Sequence, residues 1–131
     1  MNIKFGRVLI AAVVAEVVAI LALVLIVFVF GPSDPAASQA FAERLGLWVG
    51  PIGGFITCFL GGWWVAKNLQ SDHLVNGLAL GITVALIDIL LLVLSGEGFM
   101  LLFAASNIGR VVAGALGGWF AQRRHINGPI S

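Results

Sequence analysis

The sequence predicts an all-α integral membrane protein, in which four transmembrane helices form a bundle with little chain outside the bilayer. Three observations support this: charged residues are scarce, apolar runs are long, and the connections between them are short. Of 131 residues, 60% are hydrophobic and only 10% are charged, whereas soluble domains carry about 25% charged residues. Because so few charges cannot cover a soluble fold, lipid must solvate most of the surface.

Four apolar runs are long enough to cross a bilayer. A hydrocarbon core of about 30 Å needs about 20 helical residues at about 1.5 Å each. The runs cover residues 8–30, 47–66, 74–94 and 99–121. We expect the first to be a retained anchor rather than a signal peptide, because it exceeds the usual ~7–15 apolar residues and contains Glu16. Asp34 as an N-cap followed by Pro35 predicts a short outer surface helix over 35–44.

The basic residues predict the orientation. One side of the membrane carries Lys4, Arg7, Lys67, Arg123 and Arg124, and the other side carries only Arg44. By the positive-inside rule both termini are cytoplasmic and the chain is a multi-pass protein of the cell membrane. The tryptophans fit these boundaries as interfacial anchors, with Trp63, Trp64 and Trp119 on the cytoplasmic side and Trp48 on the outer side.

Spans two and four repeat one pattern. Residues 50–67 and 106–123 align at a constant offset of 56, with six identities in eighteen positions. The shared Leu-Gly-Gly-Trp ends at Trp63 in one span and at Trp119 in the other. Spans one and three match less well, although each carries one acid. The pattern predicts a duplicated helical hairpin whose two copies are parallel, related by an axis along the membrane normal.

The middle of the chain resembles a family. Gly61-Gly62-Trp63-Trp64 and, after a short polar link, His73, Gly77 and Gly81 are similar to a pattern in uncharacterised small bacterial four-helix membrane proteins. In those proteins a Gly-Gly-aromatic helix end precedes a His-x-x-x-Gly helix start. The resemblance implies the four-helix architecture and carries no activity with it.

Small residues indicate the faces on which the helices pack, because they let membrane helices approach closely. In span two a small residue recurs every four positions from Gly46 to Ala66. Arg110 occupies the repeat position of Gly54 and so belongs to the packing face of span four. The glycines expected at helix contacts are Gly50, Gly54, Gly62, Gly77, Gly81, Gly114 and Gly118.

Glu16, Asp88, Asn107 and Arg110 form the predicted intramembrane polar cluster. Helical rise places Asp88 about 20 Å, Arg110 about 17 Å and Glu16 about 13 Å from the cytoplasmic ends. A charge at a helix centre costs about 2.5–3.5 kcal/mol, so we expect Asp88 and Arg110 to pair, with Glu16 nearby. The cluster is interpreted either as a proton relay, an ion relay or an anion site, or as a structural clamp.

The first functional hypothesis is a structural or accessory membrane subunit. It would form a homo-oligomer, or dock on a larger membrane complex, through its glycine faces.

Composition and motifs argue against other functions. The net charge of +1 is too small for a nucleic-acid footprint. Cys58 is the only cysteine, so it can form no intramolecular disulfide. No catalytic motif or metal-ligand set is present, so we expect no enzyme, metal or cofactor.

The alternative is a small transporter or channel that uses Glu16, Asp88 and Arg110. Ala15-Glu16-Val17 resembles the first helix of small multidrug-resistance transporters, which carry a membrane-embedded Glu there. Those transporters surround it with membrane-embedded Tyr and Trp, whereas this chain has no Tyr and its Trp residues are expected at the interfaces. Its charge asymmetry also opposes the dual topology common in that family.

Overall fold

The computed structural model describes residues 3–96 and 101–127, and within them it contains helices and no strand. In chain order, α1 is Phe5–Phe30, α2 is Pro35–Ala66, α3 is His73–Ser95 and α4 is Leu101–Asn127. The first three are long and apolar enough to cross a membrane. This confirms the prediction of an all-helical fold and is consistent with a membrane protein.

The fourth helix is more polar than the others. α4 contains Asn107, Arg110 and four glycines, and its mean hydropathy is the lowest of the four. The predicted start of the fourth span at Phe99 lies outside the described residues, as do Glu97 and Gly98, which precede it. A fourth membrane crossing therefore stays a prediction.

The second helix is one continuous element of 32 residues. The N–H of Ala37 donates to the Asp34 side chain at 3.0 Å, and Pro35 follows at the first helical position. The residues of the surface helix predicted over 35–44 are helical and form the first turns of α2, which continues through Gly46 without a break. At about 1.5 Å per residue α2 is about 48 Å long, so it exceeds a hydrocarbon core of about 30 Å.

Glycines bring α4 into backbone contact with two helices. Gly62 of α2 lies against the backbone of Gly114, and Gly117 lies against the backbone of Phe59 and Trp63. Gly54, earlier in α2, lies against the side chain of Arg110, earlier in α4, so residue numbers rise together and the two helices run in the same direction. Gly77 of α3 also lies against Gly114.

The contact between α3 and α4 is antiparallel. Gly77 lies against Gly118 and Gly114, whereas Gly81, one turn later, lies against the backbone of Arg110 and Val111. Numbers rise along α3 as they fall along α4. The two neighbours of α4 therefore run in opposite directions.

The first helix joins the bundle through α2 and α3. The Arg7 Nη2 donates to the Trp64 carbonyl at 2.9 Å, and the Lys4 N–H donates to the Asn76 Oδ1 at 2.8 Å. Within the described ranges α1 has no close backbone contact with α4. We call the end of the bundle that carries Lys4, Arg7, Lys67, Arg123 and Arg124 the basic end.

The packed core occupies only the half of the bundle nearest the basic end. The buried residues of α1 lie between Val8 and Glu16, and those of α3 lie between His73 and Ala85. In the opposite half, no described residue of α1 beyond Glu16 is buried. The largest fully buried side chains are those of Leu80, Val65, Val84, Asn76 and Cys58.

The glycine contacts predict a sharp response to added volume. In Gly77→Val the new Cβ would meet the backbone of Gly114 and Gly118, which cannot rotate away, so α3 and α4 must separate. We expect the free energy of unfolding to fall by about 1–3 kcal/mol, measured by titrating SDS into mild-detergent micelles. The matched control is Gly6→Val, because nothing described lies within 4 Å of a Cβ at Gly6. Equal losses in the two variants would contradict the packing argument.

Candidate functional site

The candidate site is built around the guanidinium of Arg110. A helical side chain leans toward the N-terminus of its own helix, so Arg110 extends toward the start of α4, away from the basic end. A Cβ at Gly54 of α2 would lie 3.0 Å from the Arg110 Nη2 and 3.1 Å from its Cζ. The guanidinium therefore occupies the space that the missing side chain of Gly54 leaves.

Two carboxylates bind the same nitrogen of this guanidinium. The Arg110 Nη1 is 2.9 Å from the Asp88 Oδ1 on α3 and 3.2 Å from the Glu16 Oε1 on α1. The structure thus brings together the three charges that the sequence predicts to meet. We call Glu16, Asp88 and Arg110 the charge cluster. The side chains of Arg110 and Glu16 are 8% and 9% exposed, and that of Asp88 is 19% exposed.

The two acids lie at the same level of the bundle. Lys4 and Asn76, which are hydrogen-bonded, are 72 residues apart, and so are Glu16 and Asp88. Each acid is therefore 12 residues, or about 18 Å, beyond this bond. The predicted depth of Glu16, about 13 Å, was counted from residue 8 and stays a prediction, whereas the helix itself begins at Phe5.

The charge cluster lies at the edge of the packed core. Glu16 is the last buried residue of α1, and Gly54 is the first buried residue of α2. Asp88 comes three residues after Ala85, the last buried residue of α3. The ion pairs thus close the core on the side away from the basic end.

Asn107 is buried but is not bonded to the charge cluster. It is 7% exposed, and its Nδ2 donates to the Phe103 carbonyl, one turn earlier in α4, at 3.1 Å. Its Oδ1 and the Arg110 Nε have no hydrogen-bond partner among the described residues. Asn107 is therefore buried on the same face of α4 as Arg110, as predicted. It makes no hydrogen bond to the charge cluster.

Most of the glycines expected at helix contacts are found there. A Cβ added to any of these would come close to a neighbouring helix: Gly54, Gly62, Gly77, Gly81, Gly114 and Gly118. Gly50 differs, because nothing described lies within 4 Å of a Cβ there. It precedes Pro51, and the absent Cβ relieves the steric conflict that a proline imposes on the residue before it. Gly117, which the repeat pairs with Gly61, also lies at a helix contact but was not among the glycines predicted there.

Near the basic end, basic side chains lie over aromatic rings in cation–π contacts. Lys67 lies 5.0 Å from the ring centroid of Trp63, and Arg123 lies 5.0 Å from that of Trp119. Both pairs have i,i+4 spacing, so they were predictable from the sequence, although they were not predicted. Trp48, in the interior of α2, is 72% exposed, and its place at the outer interface stays a prediction.

A second polar contact joins the helix starts near the basic end. Asn76 is fully buried, accepting from Lys4 and donating from Nδ2 to the Asp72 carbonyl at 2.8 Å. His73 is also buried, with its Nε2 2.7 Å from the Leu69 carbonyl. From the sequence, His73 was identified only as part of a motif, and Asn76 was assigned no role because its partner is distant in sequence.

The charge cluster predicts a specific pattern of stability. Arg110→Met leaves two buried carboxylates without their cation, so we expect the free energy of unfolding to fall by about 3–5 kcal/mol, measured by SDS titration. The triple variant Glu16→Met, Asp88→Leu, Arg110→Met removes all three charges and should recover most of that loss. Arg123→Met is the control for losing a cation at a helix end. A triple variant no more stable than Arg110→Met would contradict the clamp.

Among the residues that the structure describes, no group of three His, Cys, Asp or Glu side chains could hold a metal ion. Comparisons of the chain with protein families, with curated proteins and with solved structures find no match. Its function must therefore be inferred from the geometry of its own residues.

Proposed function

We propose that this chain is a multi-pass cell-membrane protein with a structural or accessory role, serving as a subunit of a homo-oligomer or of a larger membrane complex. The proposal includes no enzymatic activity. In it, the charge cluster holds the helices of one subunit in register. An uncovered part of α2 then provides the contact with the neighbouring subunit.

One observation carries this proposal, namely that the small-residue stripe of α2 extends beyond the packed core. Four members of the stripe are buried inside the bundle: Gly54, Cys58, Gly62 and Ala66. At Gly46 and Gly50 an added Cβ would meet no described atom within 4 Å. The glycine at position 50 is explained by Pro51, which follows it. Gly46 has no such explanation, so it is the position that supports an outer contact. A small residue without a helix against it offers a surface for close helix approach.

The charge distribution supports an orientation with both termini in the cytoplasm. Lys4, Arg7, Lys67 and Arg123 lie at one end of the bundle, and Arg44 lies in the first turns of α2 toward the other end. Because short loops with an excess of Lys and Arg stay cytoplasmic, the basic end faces the cytoplasm. In the same proposal α4 is the fourth crossing, since it packs along both α2 and α3.

Two equivalences support a duplicated, parallel hairpin. Trp63–Lys67 and Trp119–Arg123 are matching cation–π pairs at the offset of 56 residues. Glu16 and Asp88 reach the same Arg110 atom from the same level of α1 and α3. The two halves are not packed equally, because α2 contacts α3 whereas α1 has no close backbone contact with α4 in the described ranges.

The orientation is tested by thiol labelling. In a Cys58→Ala background, single cysteines are introduced as Ser38→Cys and Asn68→Cys, which lie at opposite ends of α2. A membrane-impermeant thiol reagent applied to intact cells should label only Ser38→Cys, and both should react after the membrane is permeabilised. Labelling of Asn68→Cys in intact cells would reverse the proposed orientation.

The subunit proposal is tested at Gly46. Gly46→Leu adds a side chain to the open part of the stripe, and we expect subunit association to weaken about tenfold, as an overpacking cost of 1–3 kcal/mol implies. Association is measured by light scattering and by mass spectrometry of co-purifying proteins in mild detergent. The control is Ile52→Phe, which adds volume at an exposed position on another face of α2.

The stability of each variant is measured in the same micelles, so that misfolding is distinguished from lost association. If Gly46→Leu and the control variant associate equally strongly, the stripe has no role in subunit association. A wild-type protein that is monomeric and has no stoichiometric partner would refute the subunit proposal itself.

The composition of the charge cluster favours a second candidate, a small proton or cation transporter. Two carboxylates share one guanidinium, so the cluster has a net charge of −1 when both acids are ionised. A proton or monovalent cation would neutralise it. Asp88 is its most exposed member, at 19%, against 8% and 9% for the others, and it borders the half of the bundle without a core.

Flux measurements separate the two candidates. The wild type and the triple variant that removes all three charges are reconstituted in vesicles, and proton and sodium flux are recorded. A transporter would lose flux in the triple variant even where stability recovers. The structural proposal expects no flux above protein-free vesicles in either, together with unchanged subunit association.

A further inference from the structure

Each helical hairpin has an apolar groove on its outer surface. The first lies between α1 and α2, has a volume of about 340 Å³, and is lined by Ile10, Val14, Val18, Thr57, Leu60 and Trp64, among others. The second lies between α3 and α4, has a volume of about 410 Å³, and is lined by Leu74, Leu78, Val111, Ala115, Leu116 and Trp119, among others. Both grooves are open to the side that lipid would occupy.

At the basic end of each groove, the guanidinium of an arginine lies over the ring of a tryptophan. In the first groove the Arg7 Cζ is 5.1 Å from the ring centroid of Trp64, and Arg7 also donates to the carbonyl of that residue. In the second, the Arg123 Cζ is 5.0 Å from the ring centroid of Trp119. The stacking fixes each guanidinium beside the groove mouth, because Trp64 and Trp119 also line the grooves.

The shape of the first groove fits an acyl chain. Its lining on α1 runs from Ile10 to Val18, which is about 12 Å along the helix axis. Arg7 lies one turn before Ile10, on the same face. A phospholipid places a charged phosphate at the membrane surface and an apolar chain below it along the membrane normal, which matches a cation above an apolar groove.

Charge selects among phospholipids. Near the basic end the described chain has five basic residues, Lys4, Arg7, Lys67, Arg123 and Arg124, against the single acid Asp72. Anionic lipids are attracted to such a surface by about 1 kcal/mol per basic residue. A guanidinium also binds a phosphate through two parallel hydrogen bonds.

We propose that the two grooves are paired binding sites for anionic phospholipids of the leaflet that meets the basic end. One lipid binds to each hairpin, with its phosphate on Arg7 or Arg123 and an acyl chain along the groove. The proposal does not depend on the subunit role or on which side of the membrane the basic end faces.

The test is native mass spectrometry of the delipidated protein titrated with phosphatidylglycerol or with zwitterionic phosphatidylcholine. The wild type should retain two phosphatidylglycerol molecules and bind phosphatidylcholine more weakly. Arg7→Gln and Arg123→Gln should each weaken the retention of one lipid about fivefold, as the loss of about 1 kcal/mol implies. The double variant should weaken both.

Two matched controls address the cation and the groove separately. Arg124→Gln removes a cation that lies over Phe120, which is not among the residues lining either groove. Val14→Phe narrows the first groove with every cation in place and should also displace one lipid. Val17→Phe adds the same volume at an exposed position outside the groove and should have no effect.

Three outcomes would overturn the proposal. The first is equal retention of phosphatidylglycerol and phosphatidylcholine by the wild type. The second is a loss in Arg124→Gln as large as that in Arg123→Gln. The third is retention in Val14→Phe equal to that in Val17→Phe. If Arg7→Gln fails to fold, the pair of valine variants still tests the first groove, because neither residue contributes to the core.

Discussion

Placing the guanidinium of Arg110 among apolar helices costs several kcal/mol unless carboxylates bind it. Because Glu16 and Asp88 bind one and the same nitrogen, α1, α3 and α4 must meet at a single level. Gly54 adds α2 to this meeting point, since any larger side chain there would displace the guanidinium. One buried charge thus restricts the register of all four helices, and the remaining contacts have to be compatible with it.

Contacts on the side of the basic end obey a different constraint. In lipid, apolar helices gain little free energy by burying apolar surface, so the association of helices depends on close packing and on hydrogen bonds. Backbone approaches at Gly62, Gly77 and Gly114 provide the packing. The Lys4–Asn76 hydrogen bond provides a polar contact between α1 and α3, which lack a comparable glycine contact. Together with the charge cluster it ties α1 to α3 at two levels about 18 Å apart.

The features that were predictable from sequence follow from the lipid solvent and from helical periodicity. Long apolar runs predict the helices, a four-residue spacing predicts the face of α2 around Gly54 and Gly62, and the cost of a lone charge predicts partners for Arg110. Those that were not predictable depend on partners distant in sequence or on the start of a helix. The hydrogen bond from the Lys4 N–H to the Asn76 side chain belongs to the first kind, and the start of α1 at Phe5 rather than at residue 8 belongs to the second. The sequence analysis placed a surface helix over 35–44 and the second span over 47–66 without predicting that they join, whereas α2 continues through Gly46.

A bundle that is packed in only one half has a built-in tolerance of bilayer thickness. A change in thickness requires helices to tilt or to shift their hydrophobic boundaries. Beyond Glu16 no described residue of α1 is buried, so the ends of α1 and α3 can splay there without opening a core contact. The half that carries the charge cluster and the glycine contacts keeps its geometry meanwhile. Such a protein can occupy membranes of different lipid composition while its ion pairs stay at a constant depth from the basic surface.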